Sequence, residues 1–128
     1  MTATLDLNLL PVARYSGSDY LDLLGLYYTE PLRRSARNRS QDRLVLYLVF
    51  EGNAPLPIDQ RDKVLADLAK LYYRASGSVT AALRQTADEL NRLMLDRNRQ
   101  LGSNRQSIGC LAQVVWREDQ VYIGQSGP

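Results

Sequence analysis

The chain has 128 residues, 45% of them hydrophobic and 23% charged, the make-up of one globular domain with a core of its own rather than two domains or a disordered tail. It contains no histidine and a single cysteine, which excludes a histidine general base, a Ser-His or Cys-His pair, a histidine-ligated zinc and an intrachain disulfide. The net charge is only +2, yet its positive part is nearly all arginine, Lys63 and Lys70 being the only lysines.

Arginine offers a planar fork suited to carboxylates and phosphates, although a G+C-rich gene produces the same bias. The N-terminus lacks a basic stretch followed by an apolar core, and no apolar run approaches the ~20 residues that span a bilayer. These features predict a soluble, cytoplasmic protein. Cys110 lies in an apolar run, Cys-Leu-Ala-Gln-Val-Val, and is expected to pack as a small hydrophobe.

In chain order, residues 5–12 and 21–29 (LDLLGLYYT) read as strands. Residues 30–43 contain Pro31 and the arginines Arg33, Arg34, Arg37, Arg39 and Arg43, which predicts an exposed basic loop. No aromatic residue interleaves with that patch and no helix-turn-helix pattern is visible, so nucleic acid is not the expected partner. Residues 44–50 (LVLYLVF) are apolar throughout and predict a strand covered on both faces, ended by Gly52, Asn53, Pro55 and Pro57.

Two helices follow. Val64, Leu65, Leu68, Leu71, Tyr72 and Ala75 form one helical stripe, with Asp59 as the expected N-cap. Gly77 is expected at the left-handed C′ position and Ser78 at the cap of the second helix. There Val79, Leu83, Thr86, Ala87, Leu90, Leu93 and Met94 form a second stripe that ends near Gly102. The very short connection predicts a helical hairpin. Residues 107–116 and 120–125 read as strands joined by a tight turn at Arg117–Asp119. Tyr27-Tyr28 and Tyr72-Tyr73 are each expected to place one ring inward and one at the surface.

This order predicts an α+β domain: a largely antiparallel sheet with a helical hairpin on one face. A sheet covered on one face leaves the other exposed, which soluble monomers avoid. The missing layer is expected from a second copy, another chain, or sequence beyond Pro128.

Several local patterns resemble the N-terminal half of the metal-dependent serine/threonine phosphatases of the protein phosphatase 2C (PPM) type. That family carries an R-x-x-N-E-D loop, a strand ending in V-F-D-G-H-G-G, two helices, and a hairpin ending in L-Y-V-A-N-V-G-D-S-R. Arg37-Asn38-Arg39-Ser40-Gln41-Asp42 fits the loop, Val49-Phe50-Glu51-Gly52-Asn53 the strand end, and Val121 to Pro128 (VYIGQSGP) the hairpin. The resemblance runs from about residue 14 to the end and implies half of an αββα phosphatase-2C-like sandwich. One domain over residues 1–128, completed by another chain or by its own missing half, is the expected organisation.

By this resemblance, Arg37 would grip the substrate phosphate. Glu51 would stand where an aspartate bridges two Mg²⁺ or Mn²⁺ ions, the Gly52 carbonyl would ligate one of them, and Asp42 would orient metal-bound water. The resemblance then predicts Arg37, Asp42 and the Glu51–Gly52 turn together at one end of the central strand, beside the end of the last strand. The bland counterparts are a solvated loop arginine at 37, a turn or capping residue at 42, and a solvated strand-end carboxylate at 51.

The metal motifs are degenerate. Glutamate is one methylene longer than aspartate, whereas Mg²⁺ demands near-ideal octahedral geometry. Asn53 replaces the motif histidine, Ala54-Pro55 replace two glycines, and Pro128 takes the place of the aspartate after Gly127. Glu118 and Asp119 lie on the hairpin turn, at the opposite end of the strand from GQSGP. No bound metal is therefore expected, with Mg²⁺ or Mn²⁺ the ion if the site works.

Three functional readings follow. One is an inactive phosphatase-2C-like (pseudophosphatase) module for binding or regulation in signalling, partnered by a protein or phosphoprotein and by a second copy or the missing half. The second is the front part of an active phosphatase. The third is an unrelated α+β interaction domain with an anion-binding loop.

Overall fold

The computed structural model describes residues 10, 13–20 and 23–128. In chain order these form strands β1 (Ala13–Tyr15), β2 (Ser18–Tyr20) and β3 (Leu26–Thr29), a 3-10 turn (Arg37–Arg39), and strand β4 (Arg43–Gly52). Helices α1 (Ile58–Arg74) and α2 (Val79–Leu101) follow, then strands β5 (Ser107–Arg117) and β6 (Gln120–Ser126). Among the described residues β1 and β2 pair only with each other, and the other strands make one antiparallel sheet in the order β3-β4-β5-β6. The α+β class, the helix pair and the two long C-terminal strands agree with the sequence reading.

Local differences have local causes. The strand expected over 5–12 lies outside the described residues except for Leu10. The strand expected over 21–29 begins only at Leu26, because Gly25 takes a φ of 90° and turns the chain just before it. The β1–β2 hairpin falls between the two expected strands; its signal is Ser16-Gly17, with φ of 51° and 80°, the geometry of a two-residue hairpin turn. Pro57, not Asp59, is the N-cap of α1. Asp59 sits instead in the first turn, where its charge meets the positive end of the helix dipole. Ala75 is the C-cap of α1, which leaves Gly77 one residue beyond the expected C′ position. Ser78 does cap α2, its hydroxyl accepting from the Ala81 N–H at 3.1 Å.

Alternation along β4 sorts its side chains. Leu44, Leu46 and Leu48 are fully buried on the helix-facing side. They join Leu111 and Val115 of β5, Leu65, Leu68 and Tyr72 of α1, and Leu83, Leu90 and Met94 of α2 in one core. Two polar side chains sit in that core and satisfy each other. The Thr86 hydroxyl meets Gln113 Oε1, and Gln113 Nε2 donates to the Leu83 carbonyl at 3.0 Å. They tie α2 to β5 without leaving a buried polar atom alone.

Among the described residues helices cover only this side, and Val49 on the other is 37% exposed, so β4 is not buried on both faces as its continuous apolar run predicts. Tyr27 packs against the core while Tyr28 is exposed, as expected of that pair. Tyr72 and Tyr73 depart from the expectation: both are fully buried, their rings edge-to-face with centroids 5.2 Å apart.

Candidate functional site

The N-terminal end of β4 is organised around Asp42, a fully buried carboxylate. Its Oδ2 accepts from the Tyr72 hydroxyl at 2.7 Å and from Arg117 Nη2 at 2.9 Å. Arg117 Nε donates to Oδ1 at 2.6 Å, giving the paired contact that suits guanidinium to carboxylate. Arg39, also fully buried, places Nη1 3.7 Å from Oδ2, too far for a hydrogen bond but within ion-pair range. Its Nη2 donates to the carbonyls of Gly77 and Ser78, each at 2.8 Å, and its guanidinium lies 5.1 Å from the Tyr72 ring centroid. The Tyr73 hydroxyl donates to the Asp42 carbonyl at 2.7 Å.

Asp42 thus joins the loop before β4 to α1 and to the end of β5, and Arg39 beside it reaches the connection between the helices. A charge so enclosed does not orient water for a reaction; Asp42 is a structural anchor. The basic patch is divided accordingly, with Arg39 inside and Arg33, Arg34 and Arg37 at the surface.

Burial, reinforced by the hydrogen bond to Asp42, pushes the Tyr72 hydroxyl far above the usual tyrosine range. Burial and the Asp42 charge do the same to Tyr73. Raised folded-state values mean that the native state retains protons the unfolded chain has released. This contribution to stability is complete below the unfolded value of about 10 and declines as pH rises from there toward the folded values. Alkaline titration followed by tyrosinate absorbance should show two of the 8 tyrosines ionising only as the protein unfolds. A smooth titration of all of them in the folded protein would refute the buried anchor.

Glu51 and Gly52 lie at the other end of β4. The register pairs Arg43 with Trp116 at one end and Gly52 with Ser107 at the other. About nine residues at ~3.3 Å each put Asp42 and Glu51 roughly 30 Å apart, so the expected grouping of Arg37 and Asp42 with the Glu51–Gly52 turn is not formed. Glu51 does lie near the end of β6: Ser126 pairs with Leu111, and Gly127 abuts Cys110, the partner of Val49.

The polar groups around Glu51 hold backbone. Asn53 accepts from the Gln106 N–H at 2.9 Å and donates to the Asn104 carbonyl at 2.8 Å. Asn98 exchanges hydrogen bonds with both backbone groups of Ser107, at 2.8 and 2.9 Å. A groove of about 520 Å³ runs nearby between α2 and the Ser107–Gly109 stretch, lined by Leu90, Asn91, Met94 and Leu95 among others. Among the described residues no group of three or more His, Cys, Asp or Glu side chains gathers as a metal site requires. The donors carried over from the phosphatase motif do not fit a pair of divalent ions: one is enclosed and the other stands alone.

The sheet's outer face is the remaining feature. Arg43, Val45, Tyr47, Val49 and Glu51 of β4 point there, beside Ile108, Cys110, Ala112, Val114 and Trp116 of β5 and Val121 and Ile123 of β6. Ile123 is 77% exposed, Ile108 51% and Val121 45%, an unusual concentration of open apolar side chains on one surface. Cys110 is half-buried on this face rather than in the core. Its thiol is pushed up by burial and by the Glu51 charge, which disfavours the reactive thiolate.

Sequence reasoning singled out Arg37 and Glu51, both exposed, and missed Arg39, Tyr73 and Arg117 as partners of Asp42. The available signal was the Tyr-Tyr pair: two hydroxyls on the inner side of a helix require acceptors.

No helix among the described residues is long and apolar enough to cross a membrane. Comparison with family models, curated proteins and solved structures gives no match to this chain.

Proposed function

We propose that this chain is a catalytically inert, phosphatase-2C-like module that acts by presenting its outer sheet face to a protein partner. The observation that carries the reading is that face, with Val49, Ile108, Val121 and Ile123 all more than a third exposed on one side of a rigid sheet. Burying a fully exposed large apolar side chain contributes about 1.5–3 kcal/mol, so covering these partly exposed residues favours association. The inert half of the reading is supported by the engagement of Asp42 with Tyr72 and Arg117 and by the isolation of Glu51. Arg37 remains exposed and free to meet a phosphoprotein partner, with no inherited catalytic role.

Turnover of an aryl phosphate in the presence of Mn²⁺ tests inertness. The expected rate is that of buffer with metal, unchanged in Glu51→Ala. Metal-dependent turnover that disappears in Glu51→Ala would establish instead the active-phosphatase reading.

A further inference from the structure

Resting on that reading of the outer face, the geometry points to the partner: we infer that the face pairs with the same face of a second copy, about a two-fold axis lying along one row of the sheet. That row is Leu26, Tyr47, Ala112 and Gln125, which the register places side by side across all four strands. Rotation about it lays β4 and β5 antiparallel over their own equivalents, while β3 and β6, which lie mostly on one side of the row, overlap theirs only beside the axis. Arg43 and Glu51 lie four residues to either side of Tyr47 and share its face, so each Arg43 meets the other copy's Glu51. Trp116 and Ile108 stand in the same relation to Ala112, so the face's largest ring meets an isoleucine that is 51% exposed. Among the described residues neither Arg43 nor Glu51 belongs to an ion pair. The face is thus self-complementary in charge and in bulk, which is what an isologous interface requires.

The charged pairs are within reach of each other. Packed sheets lie ~10 Å apart and cross at ~30°. Four residues from the axis, about 13 Å, that crossing displaces Arg43 sideways from its mate by roughly 7 Å, a gap that an arginine and a glutamate side chain together span. The overlap, nearly the full lengths of β4 and β5 with only the residues of β3 and β6 beside the axis, gives a footprint of roughly 400 Å² per copy at ~3.3 Å per residue and ~4.8 Å between strands. About 800 Å² in total is below the size of stable specific interfaces and in the range of weak, transient ones, which predicts a dimer that dissociates readily on dilution.

Sedimentation equilibrium over a concentration series tests this, with circular dichroism confirming that each variant is folded. The natural chain should dimerise reversibly. Arg43→Glu and Glu51→Arg should each raise the dimer dissociation constant at least about tenfold, since each places two like-charged pairs across the interface. Mixing the two variants should restore association, because the mixed dimer regains both opposite-charge pairs; Ile123→Asp should weaken it regardless. A natural chain that stays monomeric overturns the proposal, including the case in which its own residues before Leu23 cover the face or a different protein occupies it. So does a dimer indifferent to both charge reversals, or one that mixing fails to rescue. Aryl phosphate turnover in the same samples reports separately on inertness, so the two readings can fail independently.

Discussion

Asp42→Asn should lower unfolding stability by about 3–5 kcal/mol, the usual cost of removing one partner from a buried charge cluster. Asparagine is nearly isosteric and retains a carbonyl acceptor, so little packing is lost; what disappears is the negative charge. Arg39, fully buried, and Arg117, whose guanidinium is held strongly protonated by its hydrogen bond to Asp42, then face each other without a counter-charge. Removing the donor instead, with Tyr72→Phe, should cost less, about 1.5–3 kcal/mol for a hydrogen bond to a charged group. Against the 5–15 kcal/mol typical of a whole domain, the first loss is large enough to unfold a sizeable fraction of molecules on modest warming. Urea unfolding midpoints measure both. A loss below about 1 kcal/mol for Asp42→Asn would mean that water reaches this carboxylate, which would reopen a role for it in chemistry.

Gly52→Ala should destabilise by about 2–4 kcal/mol, combining left-handed backbone strain with overpacking. Gly52 has a φ of 112°, and a Cβ built there would stand 2.3 Å from the Gln106 carbonyl oxygen. That oxygen is held in place because it also accepts from the Asn53 N–H at 3.1 Å, so it cannot easily retreat. Gly102 is the control: its φ is 86°, yet nothing lies within 4 Å of the added carbon, so Gly102→Ala carries the strain without the clash. Thermal midpoints should therefore fall further for Gly52→Ala than for Gly102→Ala. Equal falls would show that close approach of the 104–106 loop is not what requires glycine at 52. The comparison bears on function because the phosphatase resemblance assigns the Gly52 carbonyl to a metal, whereas the packing supplies a steric reason for glycine at that position.

Local chemistry made much of the fold legible in the sequence. The stripes beginning at Val64 and Val79 specify helices, because only a period near 3.6 gathers those side chains on one face. Ser78 specifies the second start because its hydroxyl reaches an otherwise unpaired N–H. LVLYLVF specifies a strand by its β-branched and aromatic content, and the tight turn read at Arg117–Asp119 brings β6 back along β5, with Arg117 itself the last residue of that strand. The α+β class follows from that order alone.

Tertiary structure decided matters of distance and depth. Arg37, Asp42 and Glu51 look like neighbours when a motif is read along the chain, but an extended strand separates its ends by every residue it contains. The carboxylates therefore went to opposite ends of β4. A continuous apolar run does not distinguish a strand covered on both faces from one whose second face awaits a partner, since the same side chains suit both. Nor does a loop of five arginines reveal that Arg39 turns inward. That depends on carbonyls from the helix connection and a carboxylate three residues on converging around it, groups that only the folded chain brings together.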